Sequence, residues 1–129
     1  MFHRYAKVTV GNALLIAHQA LADFAHYANQ NPGANGDRFT HQFFLAAGAY
    51  TLNVLGPTFS DAGKVDWYID GLLAVAGQDW YSGATVQNVV KTAAVAVASS
   101  GQHVLLGVIN GHNGASAGYY LYLTAIAFV

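Results

Sequence analysis

Glutamate and cysteine are both absent from this 129-residue chain. Without cysteine there is no disulfide, no zinc–thiolate site and no thiol nucleophile. Asp, Glu, Lys and Arg together make up only 9% of the residues, against roughly 25% in an ordinary soluble domain. The cations Arg4, Lys7, Arg38, Lys64 and Lys91 are scattered, and the formal net charge is −1. A phosphate-binding stripe needs clustered cations, so nucleic acid is excluded as a partner. No run of about 18 apolar residues is free of polar breaks, so no transmembrane helix is expected. Arg4 and Lys7 before Ala13–Ala17 weakly imitate a signal peptide, but Thr9, Gly11 and Asn12 interrupt the run, which reads better as a first strand.

Missing glutamate also bears on secondary structure. Exposed helix faces usually draw on Glu and Lys for solvation and for pairs four residues apart. Their scarcity favours strands. The 54% of hydrophobic residues fall in short runs rich in β-branched and aromatic side chains, fenced by Gly, Asn, Asp or Ser. That is the pattern of an all-β sandwich or barrel. The length fits a single domain over 1–129 with a real core.

The spacing predicts a strand over 4–10 and two short strands over 13–28. Leu14, His18, Leu21 and Ala25 also keep helical spacing there, so a single helix or an N-terminal arm is the alternative within 1–34. Strands follow at 38–46 and 49–55. Tyr50, Leu52 and Val54 share one face of the second, and Thr51 and Asn53 the other. Pro57 to Gly63 reads as a loop. Val65, Trp67 and Ile69 alternate with polar neighbours up to Asp70-Gly71, a strong hairpin signal. Strands are expected at 72–79, 85–98 and 102–109, a polar loop from Asn110 to Gly118, and a last strand over 119–129.

In order along the chain stand Asn35-Gly-Asp37, Phe43-Phe-Leu-Ala-Ala-Gly48, Val65-Asp-Trp-Tyr-Ile-Asp-Gly71, Gly77-Gln-Asp-Trp-Tyr81, Gly101-Gln-His-Val-Leu105, Ile109-Asn-Gly-His-Asn113 and Ser116-Ala-Gly-Tyr-Tyr120. Over about 35–129 this set resembles the small jelly-roll domains of tailed-bacteriophage virions, found in tail fibres, baseplates and capsid decoration (cement) proteins. The resemblance implies a jelly-roll-like antiparallel β-sandwich and a homotrimer. The match fills the chain from Met1 without a fibrous shaft or baseplate-docking segment. That suits a non-enzymatic decoration subunit on the virion capsid surface, with the major capsid protein as partner. The alternative is a receptor- or carbohydrate-binding domain of a tail fibre or baseplate, with a host glycan as partner.

No catalytic constellation accompanies the strands. Asp66 and Asp70 share a strand face about 13 Å apart, wider than the about 5–10 Å of paired glycosidase carboxylates. They read as a turn residue and a hydrogen-bond partner, and with Asp79 they match no calcium-loop spacing. The histidines His3, His18, His26, His41, His103 and His112 show no metal-ligand spacing. None of the serines Ser60, Ser82, Ser99, Ser100 and Ser116 sits in a Gly-x-Ser-x-Gly elbow. No cofactor, metal or catalytic residue is therefore assigned. Among the aromatics, Trp67, Tyr50 and Phe128 read as core. The turn-flanked Trp80 and Tyr81, the cluster Tyr119, Tyr120 and Tyr122, and the loop residues Asn110, His112 and Asn113 are the candidate interface or ligand contacts.

Overall fold

The computed structural model describes residues 34–129 in full and, before them, the strands within 4–10, 13–20 and 24–27 as backbone. The described strands are β1 (Arg4–Val10), β2 (Ala13–Ala20), β3 (Phe24–Tyr27), β4 (Arg38–Leu45), β5 (Gly48–Thr58), β6 (Gly63–Ile69), β7 (Leu72–Asp79), β8 (Val86–Val97), β9 (Gly101–His112) and β10 (Ala125–Phe128). They form two antiparallel sheets, ordered β1-β2-β3-β10-β5-β8 and β4-β9-β6-β7. Of the sandwich or barrel that the strand pattern allows, the fold is the sandwich, with the jelly-roll-like antiparallel arrangement that the resemblance implies. Residues 13–20 and 24–27 are strands, so the helical alternative there is set aside. The side chains of His3, His18, His26, Tyr5 and Tyr27 lie outside the described residues.

Period-two patterning places the core between the sheets. In β6, Val65, Trp67 and Ile69 point inward, and in β5 Leu52 and Val54 are fully buried. Phe39 meets Trp67 edge-on at 5.4 Å, and Phe43 meets Phe128 at 4.7 Å, the geometry that aromatic quadrupoles prefer. Tyr50 packs on the rim of this cluster, 6.2 Å from Phe128. Asp70 and Gly71 both take positive φ, 50° and 84°. Together they make the two-residue turn between Ile69 and Leu72, with the left-handed pair that a type I′ hairpin demands.

Three boundaries depart from the sequence reading. First, β5 continues past Pro57 to Thr58. Its pairing with β8 shifts register there: Gly56 faces Val89 and Thr58 faces Val86, so Gln87 and Asn88 together oppose Pro57. Proline has no N–H for the ladder, and a β-bulge takes up the break. Asn88 adopts φ 58° in that bulge, a left-handed conformation that asparagine tolerates well. Second, β9 runs to His112, and the following loop is ordered by Ser116, whose buried hydroxyl donates to Ala62 O at 2.7 Å.

Third, only residues 125–128 of the expected last strand join a sheet. Residues 119–124 keep strand-like alternation, with Leu121 and Leu123 buried and Tyr120 and Tyr122 outward. Their backbone bonds go elsewhere: Tyr120 N donates to Asp61 O, Gly63 N to Tyr120 O and Thr124 N to Leu55 O. Alternation reports which side faces the core; it does not report the hydrogen-bond partner.

Close approach to this segment requires glycine. A Cβ on Gly56 would stand 2.6 Å from Tyr122 O, and one on Gly63 would stand 2.9 Å from Tyr119 O. Both obstacles are backbone and cannot rotate away. Gly56→Ala should therefore lower unfolding free energy by about 1–3 kcal/mol or more and push the tyrosine segment outward. Gly114→Ala, where no atom lies within 4 Å, should be close to neutral. Urea denaturation of both variants checks the contrast.

Candidate functional site

The bulge, the connection after β5 and the tyrosine segment meet at one edge of the molecule. Pro57, Phe59, Ser60, Asp61, Thr85, Gln87 and Tyr122 line an open groove of about 470 Å³ there. Its lining divides by chemistry. Pro57 and Tyr122 supply apolar and ring surface over the buried Phe59; Ser60, Asp61, Thr85 and Gln87 supply hydrogen-bonding groups. Gln87 belongs to the bulge, and re-aiming a side chain out of the regular pleat is what bulges do. Tyr122 is tilted on Phe59 at 5.0 Å, and Tyr120 stacks on Tyr122 at 6.5 Å with planes 15° apart. Tyr120 and Tyr122 are 39% and 37% exposed, a large aromatic pair left at the surface.

Trp80 stands behind this wall rather than on it. The expectation that it contacts a partner is corrected: it is fully buried, and its indole N–H donates to Gln78 Oε1 at 3.1 Å. Trp67 donates to the same oxygen at 2.9 Å. Backbone bonds then tie the Trp80 segment to the groove. Phe59 N donates to Trp80 O at 3.2 Å, Ser82 N to Phe59 O at 3.0 Å and Trp80 N to Gly63 O at 3.3 Å. Lys91 lies over the Trp80 ring at 5.7 Å, a cation–π contact.

The other candidates divide into separate groups. Asn110 donates to Asp66 Oδ2 at 2.8 Å, and Asp66 Oδ1 accepts from Gly77 N at 2.7 Å. Asn113 donates to Asp79 Oδ2 at 2.9 Å, while Asp79 Oδ1 accepts from Tyr81 N at 2.9 Å. Half-buried Tyr81 bridges to Phe59. His112 meets Tyr119 edge-on at 4.7 Å. Asn110, His112 and Asn113 thus hold the loop end together, whereas Tyr122 reaches the groove and Tyr120 stacks against it. Phe59, Ser60, Asp61, Thr85 and Gln87 were not among the sequence candidates. Among the described residues no group of three His, Asp or Glu side chains could hold a metal ion, and no helix is long and apolar enough to cross a membrane.

A second groove, about 350 Å³, runs between the β7 and β8 edges. It is lined by aliphatic side chains and alanines, with Asp70 as its one charged residue. That carboxylate is already committed. It accepts from Val104 N at 2.9 Å and pairs with His103 Nδ1. His103 Nε2 lies 2.7 Å from Ser99 O, an acceptor only. With Asp70 ionised both ring nitrogens donate, an arrangement that favours the imidazolium form of His103, clamped between the β6–β7 and β8–β9 turns.

Two histidines are therefore tuned in opposite senses. The hydrogen bond to Asp70 raises the pKa of His103, and the same bond, followed by that from Val104, lowers that of Asp70. Burial pushes His41 down to about 4. Below its ordinary 6.5 the His103 contribution is fully present, and it is lost as pH rises through the raised folded value. His41 acts at the other end: between about 6.5 and about 4 the unfolded chain takes a proton that the folded chain refuses.

The structure resembles parts or the whole of several solved proteins, carbohydrate-binding modules among them. It superimposes on the CBM36-1 domain of a multidomain xylanase from the hindgut metagenome of Trinervitermes trinervoides with TM-score 0.63 and 16% identity, covering 99% of this chain and 97% of that one. A family 35 carbohydrate binding module from an environmental isolate gives TM-score 0.56 and 14% identity, covering 100% and 93%. Paenibacillus xanthan lyase gives TM-score 0.63 and 18% identity over 89% of this chain, which spans only 11% of that longer one. At these low identities it is the superpositions that show a shared β-sandwich fold. No protein-family model matches the chain, and no curated protein matches it in sequence.

The opposed histidines give a pH prediction. Stability to urea should rise between pH about 4 and about 6.5, with a slope of up to about 1.4 kcal/mol per pH unit, and fall again at higher pH. Asp70→Asn should cost about 1 kcal/mol near pH 6, discounted for the exposure of Asp70, and should remove the high-pH fall while keeping the rise. An unchanged high-pH limb in Asp70→Asn would contradict the clamp.

Proposed function

We propose that this chain is a non-enzymatic carbohydrate-binding module that holds a glycan in the groove of Phe59, Asp61, Gln87 and Tyr122. One observation carries the reading: one open groove sets the exposed Tyr122 ring, backed by buried Phe59, beside hydrogen-bonding side chains. A sugar has the same division, with C–H faces that pack on aromatic rings and hydroxyls that hydrogen-bond in the ring plane. The bulge and the Trp80 post fix these groups in place before a ligand arrives, which limits the ordering cost of binding. The carbohydrate-binding modules that share the fold are consistent with it.

The resemblance to phage jelly-roll domains gives this proposal its setting: a receptor-reading module on a virion, in a tail fibre or baseplate, with a host glycan as partner. Trimerisation, also implied by that resemblance, would let weak single-site binding add up through avidity. The decoration reading, with the major capsid protein as partner, rests on the sequence resemblance alone. An amphipathic groove favours a small polar ligand over a capsid joint.

Affinity electrophoresis and calorimetry against plant and bacterial surface polysaccharides test the function. At least one should bind, and Tyr122→Ala, assayed at a temperature where it remains folded, should weaken it about tenfold or more, or about 1.4 kcal/mol. Unchanged binding by Tyr122→Ala would sink this assignment of the site.

A further inference from the structure

The groove's lining contains one ionisable carboxylate, Asp61, and no lysine or arginine. None of the cations whose side chains are described belongs to that lining: Arg38 lies on β4, Lys64 on β6 and Lys91 over the Trp80 ring. We propose that the groove selects uncharged glycans over those bearing uronate or sulfate groups, with Asp61 as the discriminating side chain. This rests on the glycan-binding reading above and extends it to ligand class.

An ionised aspartate can only accept hydrogen bonds. A sugar hydroxyl brings a proton to it, and the resulting bond is charge-assisted. A uronate or sulfate oxygen brings neither a proton nor opposite charge, so acceptor meets acceptor and like charge meets like charge. Nothing in the lining offsets this. Ser60, Thr85 and Gln87 can donate, but they are neutral, and no guanidinium is present to form the bidentate pair that carboxylate recognition favours. Beside Asp61 the walls are Pro57, Phe59 and Tyr122, none of which carries a countercharge. The same features predict that binding of a neutral glycan depends little on salt, since no ion pair forms.

The test uses the full chain and three soluble neutral polymers: mixed-linkage β-glucan, galactomannan and starch. Each is compared with the same polymer after oxidation of its primary hydroxyls to carboxylates, with chelator present. The neutral form of any polymer that binds should bind about tenfold or more tightly than its oxidised form. Added salt should leave the neutral affinity nearly constant. Asp61→Asn keeps the shape and removes the charge. It should weaken the neutral ligand somewhat and shrink the neutral-to-oxidised ratio to within about threefold. Equal or tighter binding of an oxidised polymer by the native chain would overturn the proposal, and so would a ratio left unchanged by Asp61→Asn. Failure of all six polymers and of the plant and bacterial surface polysaccharides above is a different result and counts against the glycan-binding reading itself.

Discussion

One buried oxygen organises this protein. Gln78 Oε1 accepts both indole N–H groups, from Trp67 at 2.9 Å and from Trp80 at 3.1 Å. These are the two largest fully buried side chains among the described residues. A buried indole N–H without an acceptor costs on the order of 1–3 kcal/mol, so the two rings can occupy the core together because one amide serves both. Trp67 carries the inner face of β6, and Trp80 carries the segment beyond β7. The shared acceptor locks that segment onto the sandwich, and the rest of the groove is built outward from it.

From Trp80 the chain of causes runs through the backbone. Its carbonyl receives Phe59 N, and Phe59 O receives Ser82 N. Phe59 therefore has a fixed position from which to support Tyr122. The tyrosine segment lies flat against Gly56 and Gly63 because neither has a Cβ to hold it off. Pro57 breaks the β5–β8 ladder, and the bulge at Gln87 and Asn88 answers it. Three segments distant in sequence thus deliver their side chains to one groove.

Much of the fold was legible in the sequence. Alternation marked β5 and β6, and Asp70-Gly71 announced its hairpin, because both signals are local. The end of the chain was harder. Tyr119 to Thr124 alternates as a strand does, yet its hydrogen bonds cross to Asp61, Gly63 and Leu55, and no local pattern encodes that choice. Trp80 was misplaced for a related reason. Gly77, Asp79 and Ser82 around it signal a turn, and a turn signals surface. The informative residue was Gln78, two positions earlier and on the same strand face, where a buried amide can serve an indole. Tyr122 was legible as an exposed ring, whereas Phe59, Asp61, Thr85 and Gln87 become a site only when the bulge and the Trp80 post bring them together.

The central claim is that this groove, and not the aliphatic one between β7 and β8, receives a glycan. Amide chemical-shift mapping during titration with a bound oligosaccharide tests it most directly. The account predicts saturable shifts confined to residues 57–61, 85–88 and 119–123, with the side-chain amide of Gln87 among the largest. Shifts centred on 69–74 and 94–98, or on the Asn110 to Asn113 loop with the groove silent, would contradict it.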